Sequence, residues 1–214
     1  MKLWTVAFVF LCSTLHSQVF TFGPMLGVNF SSINFDQSFD VSGVTYRIKT
    51  KDAKIGLVTG AFFRFKVKNF LLMPEVIFVQ DRANFTFYNS LDSEVQQIQF
   101  NRIDIPVSLG YKFGKSLRLS AGIVGGIILK NDIEGLTSKV KYVSKLSTSD
   151  LMWNWQMGLG FDIRKRVTVD FKYEGNFGVY QNNLEFLGEN IQFAQRKNTV
   201  QITLGIALIP FKKL

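Results

Sequence analysis

The side chains that could do chemistry are acids and bases set two residues apart within apolar segments. The clearest case is "RVTVDFKYEGNF", in which Asp170, Lys172 and Glu174 alternate with apolar residues. A pair of carboxyl groups could serve as general acid and general base. Spacing of two, however, places all three side chains on one face of a β-strand. Because opposite charges alternate on that face, packing explains the pattern better than catalysis does.

The only histidine and the only cysteine, His16 and Cys12, lie in the N-terminal segment "MKLWTVAFVFLCSTLHSQ". A basic Lys2, an apolar run and then small or polar residues are typical of a secretory signal cleaved near Ser17 or Gln18. Lipidation of Cys12 is the alternative, but the preceding leucine is bulkier than lipoprotein signals normally carry. We therefore predict a signal peptide at residues 1–17 and one domain at 18–214.

Without imidazole or thiol, the exported chain lacks the usual general base and the usual nucleophile. Asp132 and Glu134 are two acids in a polar loop, which a solvated turn explains better than a metal site. We therefore expect no enzyme, no cofactor and no metal.

The composition indicates one large β-domain. The chain has 214 residues, 22 Phe, 17 Gly and 47% hydrophobic residues, with a formal net charge of +9. Its Lys and Arg residues are scattered between apolar ones, and no recognisable nucleic-acid motif gathers them. We expect no nucleic-acid partner.

Apolar and polar residues alternate with the period of a strand in segment after segment. In "NRIDIPVSLGYKF", residues 103, 105, 107, 109, 111 and 113 are apolar, whereas Arg102, Asp104 and Lys112 share the other face. "DLMWNWQMGLGFDIR" repeats the pattern, and "KIGLVTGAFFRF" does so with Thr59 and Phe62 as exceptions. No stretch has the roughly 20 uninterrupted apolar residues of a membrane-spanning helix. We count about eight strands of the length that tilted spans need.

The connections between these strands alternate strictly between long and short. Long ones cover about 31–51, 81–97, 131–149 and 178–197, and short ones cover 66–69, 113–116 and 164–166. This order is typical of an outer-membrane barrel, with short periplasmic turns and long extracellular loops. An even number of strands places both termini on the periplasmic side.

Size decides which face looks inward. A lipocalin-like barrel would enclose the apolar set, but eight strands leave an interior only just wide enough for side chains. The apolar face is Phe, Trp, Tyr, Leu and Ile, whereas glycines interleave the charged face. We therefore predict an all-β, eight-stranded, antiparallel, up-and-down transmembrane β-barrel in the outer membrane of a Gram-negative bacterium, monomeric, with its apolar face on lipid.

The charged residues should then meet across a narrow lumen, where buried charges are tolerated only when paired or hydrated. Two interpretations compete, a structural polar plug and a proton or ion path, and the small interior favours the plug. The predicted lumen network consists of Glu75, Arg102, Asp104, Arg118, Asp162, Arg164, Asp170, Lys172 and Glu174.

The long loops are the other candidate functional region. Lys139, Lys141 and Lys145 lie in the third loop and could bind lipopolysaccharide phosphates or a partner protein, although a solvated hairpin rim is the simpler interpretation. The fourth loop carries the apolar residues Phe186, Leu187 and Phe193. These indicate a contact surface, or they fold over the barrel mouth.

Several segments resemble the PorT-type outer-membrane β-barrel family of Bacteroidetes. They are the signal ending in "SQ", "FTFGPMLGVNFSSI", "LLMPEVIFVQ" and "FNRIDIPVSLGYKFG". Glu75 and Asp104 occupy places where such proteins usually carry inward-facing acids. Departures are Asp81-Arg82, where Lys-Gly often ends the strand, and Leu214 at the C-terminus instead of an aromatic residue.

The resemblance implies an outer-membrane protein whose family namesake is associated with type IX secretion. Together with the charged lumen, it leads us to expect a structural or interaction component that contacts other envelope or secretion proteins. A narrow channel for small solutes or protons is the alternative.

Overall fold

The computed structural model describes residues 19–34, 36–41, 44–88, 93–133, 143–148, 151–163, 166–178, 180–186 and 189–209. The segment predicted to be a signal peptide lies outside these residues. Among them, no helix is long and apolar enough to cross a membrane. The strands are β1 (Val19–Asn34), β2 (Asp36–Val41), β3 (Val44–Ala53), β4 (Ile55–Val67), β5 (Phe70–Tyr88), β6 (Ser93–Phe113), β7 (Leu117–Ile133), β8 (Val143–Thr148), β9 (Leu151–Ile163), β10 (Val167–Asn176), β11 (Tyr180–Phe186) and β12 (Glu189–Ile206).

Eight of these strands close into a barrel in the order β1-β4-β5-β6-β7-β9-β10-β12. The first and last pair directly, with Met25 opposite Gly205 and Asn34 opposite Arg196, so that the barrel has no free edge. Every pairing is antiparallel and joins strands that follow one another along the barrel wall. The predicted eight-stranded up-and-down barrel is confirmed.

The apolar face of the barrel looks outward. Leu109 is 70% exposed and Phe70 is 66% exposed, whereas Asp104 and Arg102 are at most 1% exposed. A soluble barrel has the reverse arrangement, with apolar residues inside and charges in water. The outward belt therefore fits lipid.

Aromatic rings cluster towards the ends of the apolar belt. Near the short turns, the rings of Phe70 and Tyr111 meet edge to face with their centroids 5.2 Å apart. The centroids of Tyr111 and Phe113 are 4.8 Å apart. Towards the opposite end, Trp155 and Tyr173 are 5.5 Å apart. Aromatic girdles of this kind mark the two lipid–water interfaces of outer-membrane barrels.

In the described residues the long connections are largely β-structured, whereas the sequence analysis treated them as loops and foresaw a hairpin only in the third. β2, β3, β8 and β11 lie within them, and β5 and β6 reach 19 and 21 residues. A tilted span needs about 9–11 residues, so β5 and β6 rise well beyond the bilayer. The short turns are tight, with Gly114 at φ +59° in the β6–β7 turn, a conformation natural to glycine.

The orientation of the barrel can be tested by cysteine labelling, since no cysteine remains after residue 12. Thr45 in β3 and Lys115 in the β6–β7 turn are both exposed. Because short turns face the periplasm, Thr45→Cys should react with an impermeant maleimide on intact cells. Lys115→Cys should react only after the outer membrane is permeabilised. Labelling of Lys115→Cys alone on intact cells would invert the orientation.

Candidate functional site: the barrel lumen

Part of the lumen is filled by apolar side chains, although the sequence analysis expected charges and glycines there. Met25, Val58, Phe62, Ile77 and Val79 pack together on the side formed by β1, β4 and β5. Phe62, an exception in the sequence pattern, points inward and is 1% exposed. The Arg64 guanidinium lies 4.4 Å from its ring centroid, which joins the apolar cluster to the charged side chains by a cation–π contact.

Towards the extracellular end, Arg102 holds three carboxylates together. Its guanidinium lies 2.8 Å from Asp104, 3.3 Å from Glu174 and 3.6 Å from Asp81. All four side chains are at most 4% exposed. We call these four residues the outer cluster.

Neutral polar side chains complete the coordination of the outer cluster. Asn154 Nδ2 donates to Glu174 Oε1 at 2.5 Å, and Gln201 Nε2 donates to Glu174 Oε2 at 3.2 Å. Ser31 Oγ donates to Asp81 Oδ1 at 2.6 Å, and Asn29 Nδ2 donates to the same oxygen. Each of these donors stabilises a buried carboxylate in addition to its ion pair with Arg102.

In the middle of the lumen, Lys172 of β10 donates to Glu75 of β5. These strands are four places apart in an eight-strand order, so they face each other across the barrel. Both side chains are at most 7% exposed. On the neighbouring side, Gln156 Nε2 donates to Ser108 Oγ at 2.6 Å. The Lys172–Glu75 pair spans the lumen across its width.

Near the short turns, three cations surround two carboxylates. Arg64 lies 3.4 Å from Asp162 and 3.0 Å from Asp170. Arg118 pairs with Asp162 and lies 2.7 Å from Asp170, and Lys112 lies 2.5 Å from Asp162. We call these five residues the inner cluster. The Arg64–Asp162 pair joins β4 to β9, which are also opposite strands.

Two glycines let these side chains approach the wall. A Cβ at Gly126 would lie 2.5 Å from Asp104 Oδ1, and a Cβ at Gly160 would lie 2.5 Å from Arg118 Nη2. Both distances are shorter than any normal contact. These two glycines are therefore a packing requirement of the clusters.

The structure brings eight of the nine predicted lumen residues into ion pairs facing the lumen. The ninth, Arg164, lies outside the described residues. The predicted lumen network left out Arg64, Lys112 and Asp81, although parity had already placed Lys112 on the face of Arg102 and Asp104. Strand parity supports including all three, because each lies an even number of residues from an inward-facing position on its own strand.

The six predicted loop residues are distributed differently. Lys139, Lys141 and Leu187 lie outside the described residues. Lys145, Phe186 and Phe193 belong to β8, β11 and β12, the strands that extend beyond the apolar belt.

The lumen offers charge pairing and hydrogen bonding and little access to solvent. In the described part of the chain, no three His, Cys, Asp or Glu side chains are grouped so as to hold a metal ion. The chemistry that the arrangement supports is mutual neutralisation of buried charges.

The sequence matches one known protein family over most of its length. Residues 16–182 match the family described as "Outer membrane protein beta-barrel domain". The chain belongs to this family. Together with the lipid-facing belt, membership places the protein in the outer membrane.

Solved structures support the same fold. The chain is similar to the outer membrane protein OprG from Pseudomonas aeruginosa, with a TM-score of 0.54 and 10% identity over 89% of this chain and 93% of that one. It is also similar to Ail, the attachment invasion locus protein of Yersinia pestis, with a TM-score of 0.50 and 10% identity over 89% and 99%. No curated protein sequence matches the chain significantly.

The Lys172–Glu75 pair should be necessary to the closed lumen. Lys172→Met leaves Glu75 buried without its cation, and breaking a buried pair this way costs about 3–5 kcal/mol. Adding Glu75→Gln removes the orphaned charge and should restore much of that loss. The measurement is the free energy of unfolding in urea for both variants in detergent micelles. Lys115→Met, in an exposed turn, is the control and should change stability by less than about 0.5 kcal/mol. A double mutant no more stable than Lys172→Met would contradict the pairing.

Adjacent glycines offer a matched test of packing. Gly126→Ala places a methyl group against Asp104, and overpacking of this kind costs about 1–3 kcal/mol. A Cβ at Gly125, on the lipid-facing side, would meet only the Trp153 ring at 3.5 Å. Gly125→Ala should therefore leave the unfolding midpoint nearly unchanged. Equal effects of the two substitutions would show that Asp104 is not held against the wall.

Proposed function

We propose that this protein is a non-enzymatic component of the outer membrane that acts through contacts of its extracellular strands, with its lumen serving as a structural plug. The observation that carries the proposal is the pairing of charges across opposite strands. Lys172 meets Glu75 at mid-lumen, and Arg64 meets Asp162 below it.

Energetics favour a plug over the alternative of a narrow channel. A continuous path would have to separate these pairs and leave buried charges uncompensated, at several kcal/mol for each pair. Open pores instead line a hydrated lumen with separated charges. The most exposed carboxylate among these ion pairs, Asp170, has a side chain that is only 15% exposed.

With the lumen closed, the extracellular strands are the surface left for function. Ser38, Thr45 and Arg47 of β2 and β3 are exposed there. Lys145, Phe186 and Phe193 also belong to this region, which supports contact with lipopolysaccharide or with other envelope proteins. The resemblance to PorT-type proteins favours a secretion accessory as the sharpest form of this role.

The role of the extracellular strands can be tested by complementing a gene deletion. One variant replaces residues 36–53 with a short turn, which removes β2 and β3 and leaves the eight barrel strands. A matched variant carries Gly125→Ala. We expect the trimmed chain to fold, seen as faster migration of unheated samples on gels, but to fail to restore envelope integrity and protein secretion. Gly125→Ala should restore both. Full restoration by the trimmed chain would contradict the proposal.

A further inference from the structure

The periplasmic rim of the barrel carries exposed cations on several sides. Lys68 lies in the β4–β5 turn, Lys115 in the β6–β7 turn and Arg166 in the β9–β10 connection, and all three side chains are exposed. These connections follow one another around the eight-strand order, so the three cations are spread around the circumference. In the sequence, Arg166 is preceded by Arg164 and Lys165. Positive charge therefore surrounds this end of the barrel.

The carboxylates described near the short turns do not compensate this charge. They are Asp162 and Asp170, and both are paired within the inner cluster. That cluster already has more cations than carboxylates. Among the described residues of this end, no further acid is left for the exposed cations of the rim. An anion that neutralises them has to come from outside the chain.

The cations lie at the depth of phospholipid headgroups. Phe70 follows Lys68 by two residues, Phe113 precedes Lys115 by two residues, and both aromatic residues are exposed in the girdle. Two strand residues rise about 6–7 Å, and the headgroup layer on each side of a bilayer is about 5–8 Å thick. A long basic side chain just beyond the girdle therefore reaches the phosphate layer.

Lys68 occupies a backbone position that suits glycine better. Val67 is in register with Phe70, so Lys68 and Asn69 form a two-residue hairpin turn. Lys68 has φ +55°, a region that is unfavourable for residues other than Gly, Asn and Asp. Turn geometry therefore does not account for a lysine here, whereas a role for its exposed ammonium group does.

We propose that this rim binds the anionic headgroups of phospholipids in the periplasmic leaflet, with a lipid phosphate beside each exposed cation. A leaflet surrounds the barrel on every side, as the three cations do, whereas one acidic protein segment would need them on a single face. Anionic lipid surfaces attract basic residues placed at this depth, and the adjacent aromatic rings anchor the same interface. The site lies at the end opposite the extracellular contacts proposed above and does not depend on them.

The test measures the lipid selectivity of the full barrel in bilayers of phosphatidylcholine and phosphatidylglycerol. Electron paramagnetic resonance of spin-labelled lipids gives the ratio of the association constants of phosphatidylglycerol and phosphatidylcholine at the barrel surface. We expect a ratio above one for the wild-type protein. Concentrated salt should bring it towards one, because exposed charges are screened.

The triple variant Lys68→Gly, Lys115→Gln and Arg166→Gln should lower this ratio. A basic residue near an anionic surface contributes about fivefold to lipid affinity at its own site. Since the measurement averages over all lipids around the barrel, we expect the ratio to fall about twofold or more. The matched control is the charge-conserving triple variant Lys68→Arg, Lys115→Arg and Arg166→Lys, which should keep the wild-type ratio.

Lys68→Gly alone separates lipid binding from the stability of the turn. It should lower the lipid ratio, whereas the unfolding midpoint in urea should stay the same or rise, because glycine adopts this φ without strain. Gel migration of unheated samples shows that each variant is folded. A lower unfolding midpoint with an unchanged lipid ratio would mean that Lys68 serves the turn and not the lipid.

Three further results would overturn the proposal. The first is a lipid ratio of one for the wild-type protein, and the second is an equal ratio in the charge-removing and charge-conserving triple variants. The third is binding of poly-glutamate to barrels in pure phosphatidylcholine that the charge-removing variant loses while its lipid ratio does not change. That result would assign the rim to an acidic protein segment.

Discussion

The narrowness of an eight-stranded wall is the constraint on which the rest of this structure depends. Side chains from opposite strands meet inside it, so a charge that faces the lumen must find a partner there or remain buried at large cost. Lys172 reaches Glu75, and Arg102 gathers three carboxylates around one guanidinium. The same narrowness requires glycine at 126 and 160, where the clusters approach the wall. Bulky apolar residues are left to face lipid.

The charges are distributed unevenly along the lumen. The outer cluster has one arginine and three carboxylates, whereas the inner cluster has three cations and two carboxylates. Asn29 and Ser31 donate to Asp81, and Asn154 and Gln201 donate to Glu174, so neutral hydrogen bonds add to the pairing with Arg102. Among the described side chains, the outer end of the lumen therefore has more acids and the inner end more cations, and short-range ion pairs and hydrogen bonds fill both ends.

Strand parity, the alternation of long and short connections and the size of the barrel together predicted the fold, because a period of two assigns each residue to a face and the size decides which face is inside. The same parity grouped Arg102, Asp104, Lys172 and Glu174 in the lumen. It could not predict that Arg64 pairs with Asp162 and Asp170, since partners across a barrel depend on the stagger of the strands. Parity did place Lys112 on the face of Arg102, although the predicted network left it out, and Asp81 was taken for the end of a strand.

The extension strands were missed for a different reason. Beyond the belt, water rather than lipid surrounds the strands, so their outer face no longer has to be apolar. A search for apolar outer faces takes such segments for loops. The structure adds the continuity of β5 and β6 through these segments.

The central claim is that the lumen is closed by paired charges, and single-channel recording in planar bilayers tests it most directly. The account predicts no steady conductance for the wild-type protein. Asp104→Ala should lower barrel stability and produce no selective current, because the other pairs still cross the lumen. Reproducible wild-type conductance, with an ion selectivity that Asp104→Ala changes while stability does not, would contradict the account and assign the protein as a channel.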